Sequence, residues 1–362
     1  MKRLLVSLER FRPHFEEDGK LRALKPLFDA TENFLFSSST RTSDGPHIRD
    51  PLDVKRFMSI VIVALLPCVL AALYFFGLRV LAMIVVSYVA GGIVEVVFAI
   101  VRKEEINEGF LVTGMIFPLI LPPAIPLWMV ALGVAFGVIV GKEVFGGTGR
   151  NLFNAALVGR CFLAIGYPVA MSLNWLKPGE GPVGRITQYV SLGNADAISS
   201  ATPLVLAKQG TWVSLSDLFL GHVSGSTGET SALALLVGGM FLLATRVASW
   251  RTVAGVLGSF AALGGLLHYL QPEIFGPVGW HMLAGGLLLG AFFMATDPVT
   301  SPMTDGGKWA FGILIGGSTV LIRNLTGWVE GVMFAILLGN IAAPILDEIA
   351  IRYRLRRLQY EG

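Results

Sequence analysis

Asp196-Ala-Ile-Ser-Ser-Ala-Thr202 is the string whose residue types and spacing carry the most specific chemistry in this chain. A threonine hydroxyl can form a phosphoester with a terminal phosphate, and D-x-x-S-x-A-T is an acceptor pattern for a flavin nucleotide. The small residues Ser199, Ser200 and Ala201 leave the backbone open to a modifying enzyme, and Asp196 is available to help bind it. The same residues also suit an ordinary loop before a helix, with Thr202 as N-cap and Pro203 first in the helix.

A second group is Lys142-Glu-Val-Phe-Gly-Gly-Thr-Gly-Arg-Asn-Leu-Phe-Asn154. Its glycines permit close backbone approach to a planar or phosphorylated ligand. Asn151 and Asn154 offer amide donors and acceptors suited to an isoalloxazine ring. Walker spacing is absent, so this is not a nucleotide phosphate loop of that kind. A tight turn between helices is the plainer alternative.

A third group is acidic. Glu95 lies in Gly91-Gly-Ile-Val-Glu-Val-Val-Phe-Ala-Ile-Val101, a position at membrane depth where a carboxylate is costly. Asp297 and Asp347 fall near expected helix ends. Carboxylates and neighbouring carbonyls are suitable oxygen ligands for a hard cation; hydrogen-bonded carboxylates or helix caps are the alternatives. Gly91-Gly92 provides either close helix packing or room for a flat ligand. The histidines His14, His47, His222, His268 and His281 are scattered and show no bis-histidine haem pattern.

These groups must be held by membrane helices. The chain has 362 residues, 54% hydrophobic and only 15% charged, against about 25% charged in soluble domains. Mean hydropathy is +0.67. Apolar runs are expected to span a bilayer at 58–76, 79–101, 110–122, 125–141, 153–171, 232–245, 252–270, 281–296, 309–323 and 329–350. The resulting fold class is an all-α polytopic membrane protein with a polar N-terminal extension. Its division is an extension over 1–56, five spans over 57–171, a loop over 172–231, five spans over 232–351, and a basic tail over 352–362. Leu21–Phe28 suggests a short surface helix, and Ser37–Asp50 reads as a loop.

Basic residues at Arg102-Lys103, Lys142 with Arg150, Arg246 with Arg251, and Arg352–Arg357 alternate as ten spans require. Both termini then face the cytoplasm and the long loop faces outward; Arg323, near the outer end of its span, fits less well. No cleaved signal peptide is expected. The net charge of +3 gives no reason to expect nucleic acid. Cys68 and Cys161 lie inside apolar runs without C-x-x-C spacing, which argues against a disulfide framework.

Several stretches, in order, resemble the B subunits of sodium-translocating NADH:quinone oxidoreductases, the Nqr complexes. They are His47–Arg56, Val101–Phe110, Lys142–Asn154, Asp196–Thr202, Phe292-Phe-Met-Ala-Thr-Asp-Pro-Val299 and Gly307-Lys-Trp-Ala-Phe-Gly312. The D subunit of Rnf complexes shares the membrane core, including A-T-P-L; His47–Arg56 is closer to the Nqr pattern.

The resemblance implies ten helices in two five-helix repeats, within a multi-pass protein of the bacterial inner membrane. It implies FMN esterified to Thr202, with Asp196 and Ser199 completing the motif, and non-covalent riboflavin at Asn151 and Asn154. It associates quinone, ubiquinone or menaquinone, with Gly91 and Gly92. It assigns Glu95, Asp297 and Asp347 to a Na+ pathway. The implied partners are the A, C, D, E and F subunits of a six-subunit complex, and a flavin transferase for maturation. The chain departs from the usual pattern at Ser200, where a glycine is frequent, and at Ala155, where a proline is frequent. It is also shorter than typical members, mainly around the first outward loop. A non-redox transporter or a flavin-free scaffold would use similar spans without a need for the threonine motif.

Overall fold

The computed structural model describes residues 54–103, 109–176, 178, 201–272, 275–326 and 330–361. Residues 1–53 of the expected extension, with its surface helix and loop, and the motif residues Asp196 and Ser199 lie outside the described residues; the last three positions of the extension, from Val54, already belong to the first helix. Among the described residues the chain is helical and has no strand.

The apolar runs become helices because each carries its own backbone hydrogen bonds and leaves little for lipid to satisfy. In the first half these are α1 (Val54–Phe76), α2 (Arg79–Arg102), α3 (Gly109–Leu119), α4 (Leu127–Gly141), α5 (Ala155–Gly166) and the short α6 (Pro168–Leu173). Two short helices follow, α7 (Pro203–Lys208) and α8 (Leu215–Leu220). The second half holds α9 (Ala232–Ala244), α10 (Trp250–Leu270), α11 (Val278–Leu283), α12 (Leu287–Leu289), α13 (Asp305–Leu325) and α14 (Val332–Glu361).

Five helices among the described residues are long and apolar enough to cross a membrane: α1, α2, α4 with the turn after it, α10 and α14. Helices α3, α5 and α9 are apolar but shorter. The run expected at 281–296 is broken instead of continuous. It splits into α11, a turn at Ala284–Gly286, α12 and a π-helical turn over Gly290–Met294. Helix α14 runs on to Glu361, so the basic residues expected as a separate tail extend the last helix.

Helix α2 shows how sequence spacing selects faces. Val85, Val89, Ile93 and Val97 recur every four residues and are all more than half exposed, while Met83, Ser87, Gly91 and Glu95 are buried. Such an apolar stripe is stable against hydrocarbon, and the opposite face must carry the chemistry. Small residues let helices approach closely. A Cβ on Gly255 would stand 3.1 Å from the Cα of Gly312, which brings α10 against α13. The halves interlock, since α1 packs on α9 and α5 on α14.

The segment expected as an open outward loop is partly built in. Val223–Ser231 is buried after His222. Thr227 N and Gly228 N donate to Leu121 O and Leu119 O at 3.1 and 2.7 Å, and the Thr227 hydroxyl donates to Pro118 O at 2.5 Å. These bonds satisfy carbonyls left open where α3 ends early at its proline.

Candidate functional site

Sequence-distant residues meet around a cavity of about 730 Å³, part of it open to solvent. Phe57, Met58 and Val61 come from α1, Val112 and Ile116 from α3, and Phe293 from the π-helical turn. The polar wall holds Thr113, Lys142, Thr148, Asn151, Asn154, Thr296 and Asp297. Its lining, apolar with a few convergent polar groups, is of the kind that small organic ligands use.

The glycine segment positions the polar wall. Gly146, Gly147 and Gly149 have φ of +108, +89 and +90°, so the chain reverses there in conformations that side chains rarely adopt. Asn151 stabilises the turn: its oxygen accepts from Gly149 N at 3.3 Å and its Nδ2 donates to Phe153 O at 3.1 Å. Asn154 is the N-cap of α5, with its oxygen accepting from Ala156 N and Leu157 N at 3.1 and 3.3 Å. Both asparagines are therefore fixed by local capping, as the plainer turn reading expects, and both line the cavity.

Lys142 connects the cavity to α2. Its Nζ donates to Glu95 Oε1, and both side chains are buried. A neighbouring pair, Arg102 with Glu143, closes at 2.7 Å. Asp297, on the second-half wall, caps its own turn by accepting from Val299 N at 3.0 Å. Glu95 and Asp297 are thus brought to one region from opposite halves of the chain.

Thr202 lies elsewhere. It is buried and is the N-cap residue of α7, with Pro203 next, yet its hydroxyl makes no capping hydrogen bond. It borders a space of about 300 Å³ lined also by Leu204, Ser224, Glu229, Leu283, Gly285 and Glu330. The acceptor oxygen that esterification would need is therefore not consumed by its helix.

A model of the NQR2, RnfD, RnfE family matches residues 41–355. The chain is also similar, over nearly its whole length, to proteins named as the B subunit of Na(+)-translocating NADH-quinone reductase. It is 38% identical to that of Azotobacter vinelandii, covering 97% of each chain. It is 38% identical to that of Pseudomonas aeruginosa, again covering 97% of each, and 37% identical to that of Klebsiella pneumoniae, covering 98% of each. The chain belongs to the NQR2, RnfD, RnfE family.

Within this family member, the structure separates other expected site residues from the cavity. Gly91 and Gly92 face the Phe110 ring, which would meet a Cβ on Gly91 within 2.6 Å. The glycine pair accommodates that ring in the helix packing. Asp347 caps the start of α13, accepting from Met303 N, Thr304 N and the Thr304 hydroxyl at 2.7, 2.9 and 2.5 Å. It does not line the cavity.

Several buried polar residues of this family member stand outside any sequence motif. Asn340 of α14 bridges Asn154 and Thr300. Arg160 of α5 pairs with Glu330, and Glu229 lies beside them, its Oε1 accepting from Ser226 N at 3.1 Å. Arg323 donates to His281 O and Ala284 O at 2.8 and 3.2 Å and lies over the Phe260 ring. It fits poorly as a topology charge because it binds carbonyls exposed by the turn after α11. The signal that could have found these residues is isolated charge in apolar sequence, which requires an internal partner.

Proposed function

We propose that the chain is the B-type membrane subunit of a sodium-pumping NADH:quinone oxidoreductase, carrying electrons through flavins toward quinone. The observation carrying this reading is similarity over nearly the full length of the B-subunit relatives. The free capping position of Thr202 and the polar wall of the larger cavity support it.

In this reading Thr202 Oγ1 holds FMN as a phosphoester, with Asp196 and Ser199 serving the transferase. Asn151 and Asn154 orient riboflavin at the larger cavity, whose wall they share. The flavins supply electron-transfer chemistry when bound; position and electrostatics come from the chain. The apolar side chains of α1, α3 and the π-helical turn exclude water. Lys142, held by Glu95, brings an ammonium donor to the wall. Quinone is assigned to the surface near Gly91, Gly92 and Phe110.

Glu95 and Asp297 provide cation uptake from the cytoplasmic side, with Asp347 supporting the helix start that it caps. Ten spans in two five-helix halves, cytoplasmic termini and an outward Thr202 complete the arrangement in the inner membrane. The partners are the A, C, D, E and F subunits.

Mass spectrometry of the intact chain, purified from membranes that contain the maturation enzyme, tests the central claim. The expected result is the chain mass plus esterified FMN, mapped to the Thr202 peptide. A bare chain from such membranes overturns the electron-carrier reading and leaves a transporter or scaffold.

A further inference from the structure

Thr202 makes no capping bond, yet a modifying enzyme cannot use its hydroxyl where it stands. The residue is 6% exposed and borders the smaller cavity, together with Leu283 and the carboxylates of Glu229 and Glu330. Esterification needs open space around that oxygen. The hydroxyl must attack in line at the phosphorus of a flavin nucleotide activated as an anhydride. The Oγ1–P bond forms as the anhydride bond breaks, and the hydroxyl proton passes to a base of the transferase. A residue so enclosed cannot enter a second protein's active site without moving.

What holds Thr202 in place is slight. Helix α7 is six residues long, and its buried residues are Pro203 and Leu204. Leu204 packs with Leu218, Val223, Trp280 and Ala284, in a small cluster separate from the main core. It lies over Gly285, whose φ is +69° and where a Cβ would stand 2.6 Å from Leu204 Cδ1. The receiving frame is firmer: Trp280 Nε1 donates to Val213 O at 2.9 Å, tying α11 to the chain before α8. Beyond Leu204 the helix turns outward to Lys208, Gln209 and Gly210, all exposed. There Lys208 Nζ donates to Thr326 O at 3.3 Å, at the surface. Elements held by few buried apolar contacts are the first to open in local unfolding.

We propose that Leu204 is a latch on the modification site: α7 undocks to present Thr202 to the transferase, and Leu204 returning over Gly285 encloses it again. The inference rests on the reading of Thr202 as the flavin acceptor and adds when that residue is reachable. Esterification then belongs to the undocked chain, and its rate follows the population of that form.

Cysteine reactivity tests the latch without any flavin. Thr202→Cys and, at the exposed end of the same segment, Gln209→Cys are each made in the intact complex together with Cys161→Ala; Cys68 is buried and stays. Both are treated with a maleimide carrying polyethylene glycol, and the shifted band of this chain is followed in time. Thr202→Cys should react about tenfold more slowly than Gln209→Cys. Adding Leu204→Ala should speed Thr202→Cys about tenfold and leave Gln209→Cys unchanged. Equal rates at the two positions overturn the latch, as does a Thr202→Cys rate that Leu204→Ala leaves unchanged. The comparison of the two positions decides by itself if Leu204→Ala does not assemble. In a second arm, chains with Thr202 intact are assembled without transferase and then supplied with transferase and its flavin nucleotide. Covalent flavin should form faster in Leu204→Ala by a similar factor, and the native rate there overturns the latch as the gate to modification. Absence of FMN at Thr202 in every chain, with the cysteine rates as expected, overturns the acceptor reading instead.

Discussion

Asn340 holds the cavity wall at Asn154: its side-chain oxygen accepts from Asn154 N at 3.3 Å, joining α14 to the start of α5. Its Nδ2 donates to Thr300 O at 3.1 Å, and the residue is fully buried. One amide therefore fixes the cap of α5 and the turn after Asp297. Asn340→Leu leaves a buried donor and a buried acceptor unmet, at about 1–3 kcal/mol each. The expected outcome is a lower melting temperature together with loss of non-covalent flavin during purification. Flavin retention at the native level in the folded variant would exclude Asn340 from positioning the site.

The Arg160–Glu330 pair joins α5 to the segment before α14, and its side chains are 5% and 13% exposed. Breaking one partner of a buried pair strands the other charge, at about 3–5 kcal/mol. Here the stranded carboxylate would lie beside the buried Glu229, with Arg160 no longer there to pair it. Arg160→Met should therefore melt well below the native complex. Arg160→Met combined with Glu330→Gln should recover a substantial part of the loss. Equal melting temperatures for the single and double variants would show that the stranded carboxylate is not the cause.

Thr202 gives a prediction in which cap and acceptor roles separate. An N-cap threonine normally contributes about 1 kcal/mol through its side-chain oxygen. Thr202 makes no such bond, so Thr202→Ala should leave melting close to that of the unmodified chain. It should nevertheless abolish covalent flavin fluorescence on a denaturing gel. A fluorescent band persisting in Thr202→Ala would move the attachment elsewhere.

Much of the helical frame was legible because apolar runs and their Pro or Gly boundaries are local signals. The break at Ala284–Gly286 was not, since Leu287–Met294 is as apolar as a continuous span. Its cause is partly distant: Arg323 satisfies two carbonyls at that turn. The site divides similarly. Asn151, Asn154 and Asp297 were visible as polar residues in short motifs, whereas Lys142 read as a topology charge. Its pairing with Glu95 depends on how α2 packs against α4, and helix packing has no single-sequence signature. Asp347 was legible as a carboxylate near a helix end with a cap as one reading; that the helix it caps is α13 and not its own follows from packing.

Glu229 predicts a pH dependence. Burial, and then the neighbouring Glu330, push its carboxyl up to about 8, against the opposing effect of Arg160. The folded chain therefore binds a proton more tightly there than the unfolded chain. Between the ordinary carboxylate range and about pH 8, the unfolded state is the one with fewer protons at this site. Stability must then fall as pH rises through that window. Glu229→Gln removes this contribution and should flatten the melting temperature across the window. A native slope in that variant would assign the pH dependence to other groups.

Gly91 and Phe110 distinguish packing from ligand space. A Cβ at Gly91 would stand 2.5 and 2.6 Å from Phe110 ring atoms and 3.1 Å from Val134. Gly91→Ala must therefore displace the ring, and overpacking of this kind costs about 1–3 kcal/mol. Phe110→Leu should relieve part of that cost, so the double variant is expected to melt above Gly91→Ala alone. Quinone affinity supplies the second measurement. If quinone uses this surface, Gly91→Ala weakens its binding, and Phe110→Leu alters binding even when Gly91 is intact. Native quinone affinity in both single variants, accompanied by the melting rescue, would leave the glycine pair with helix packing as its whole role.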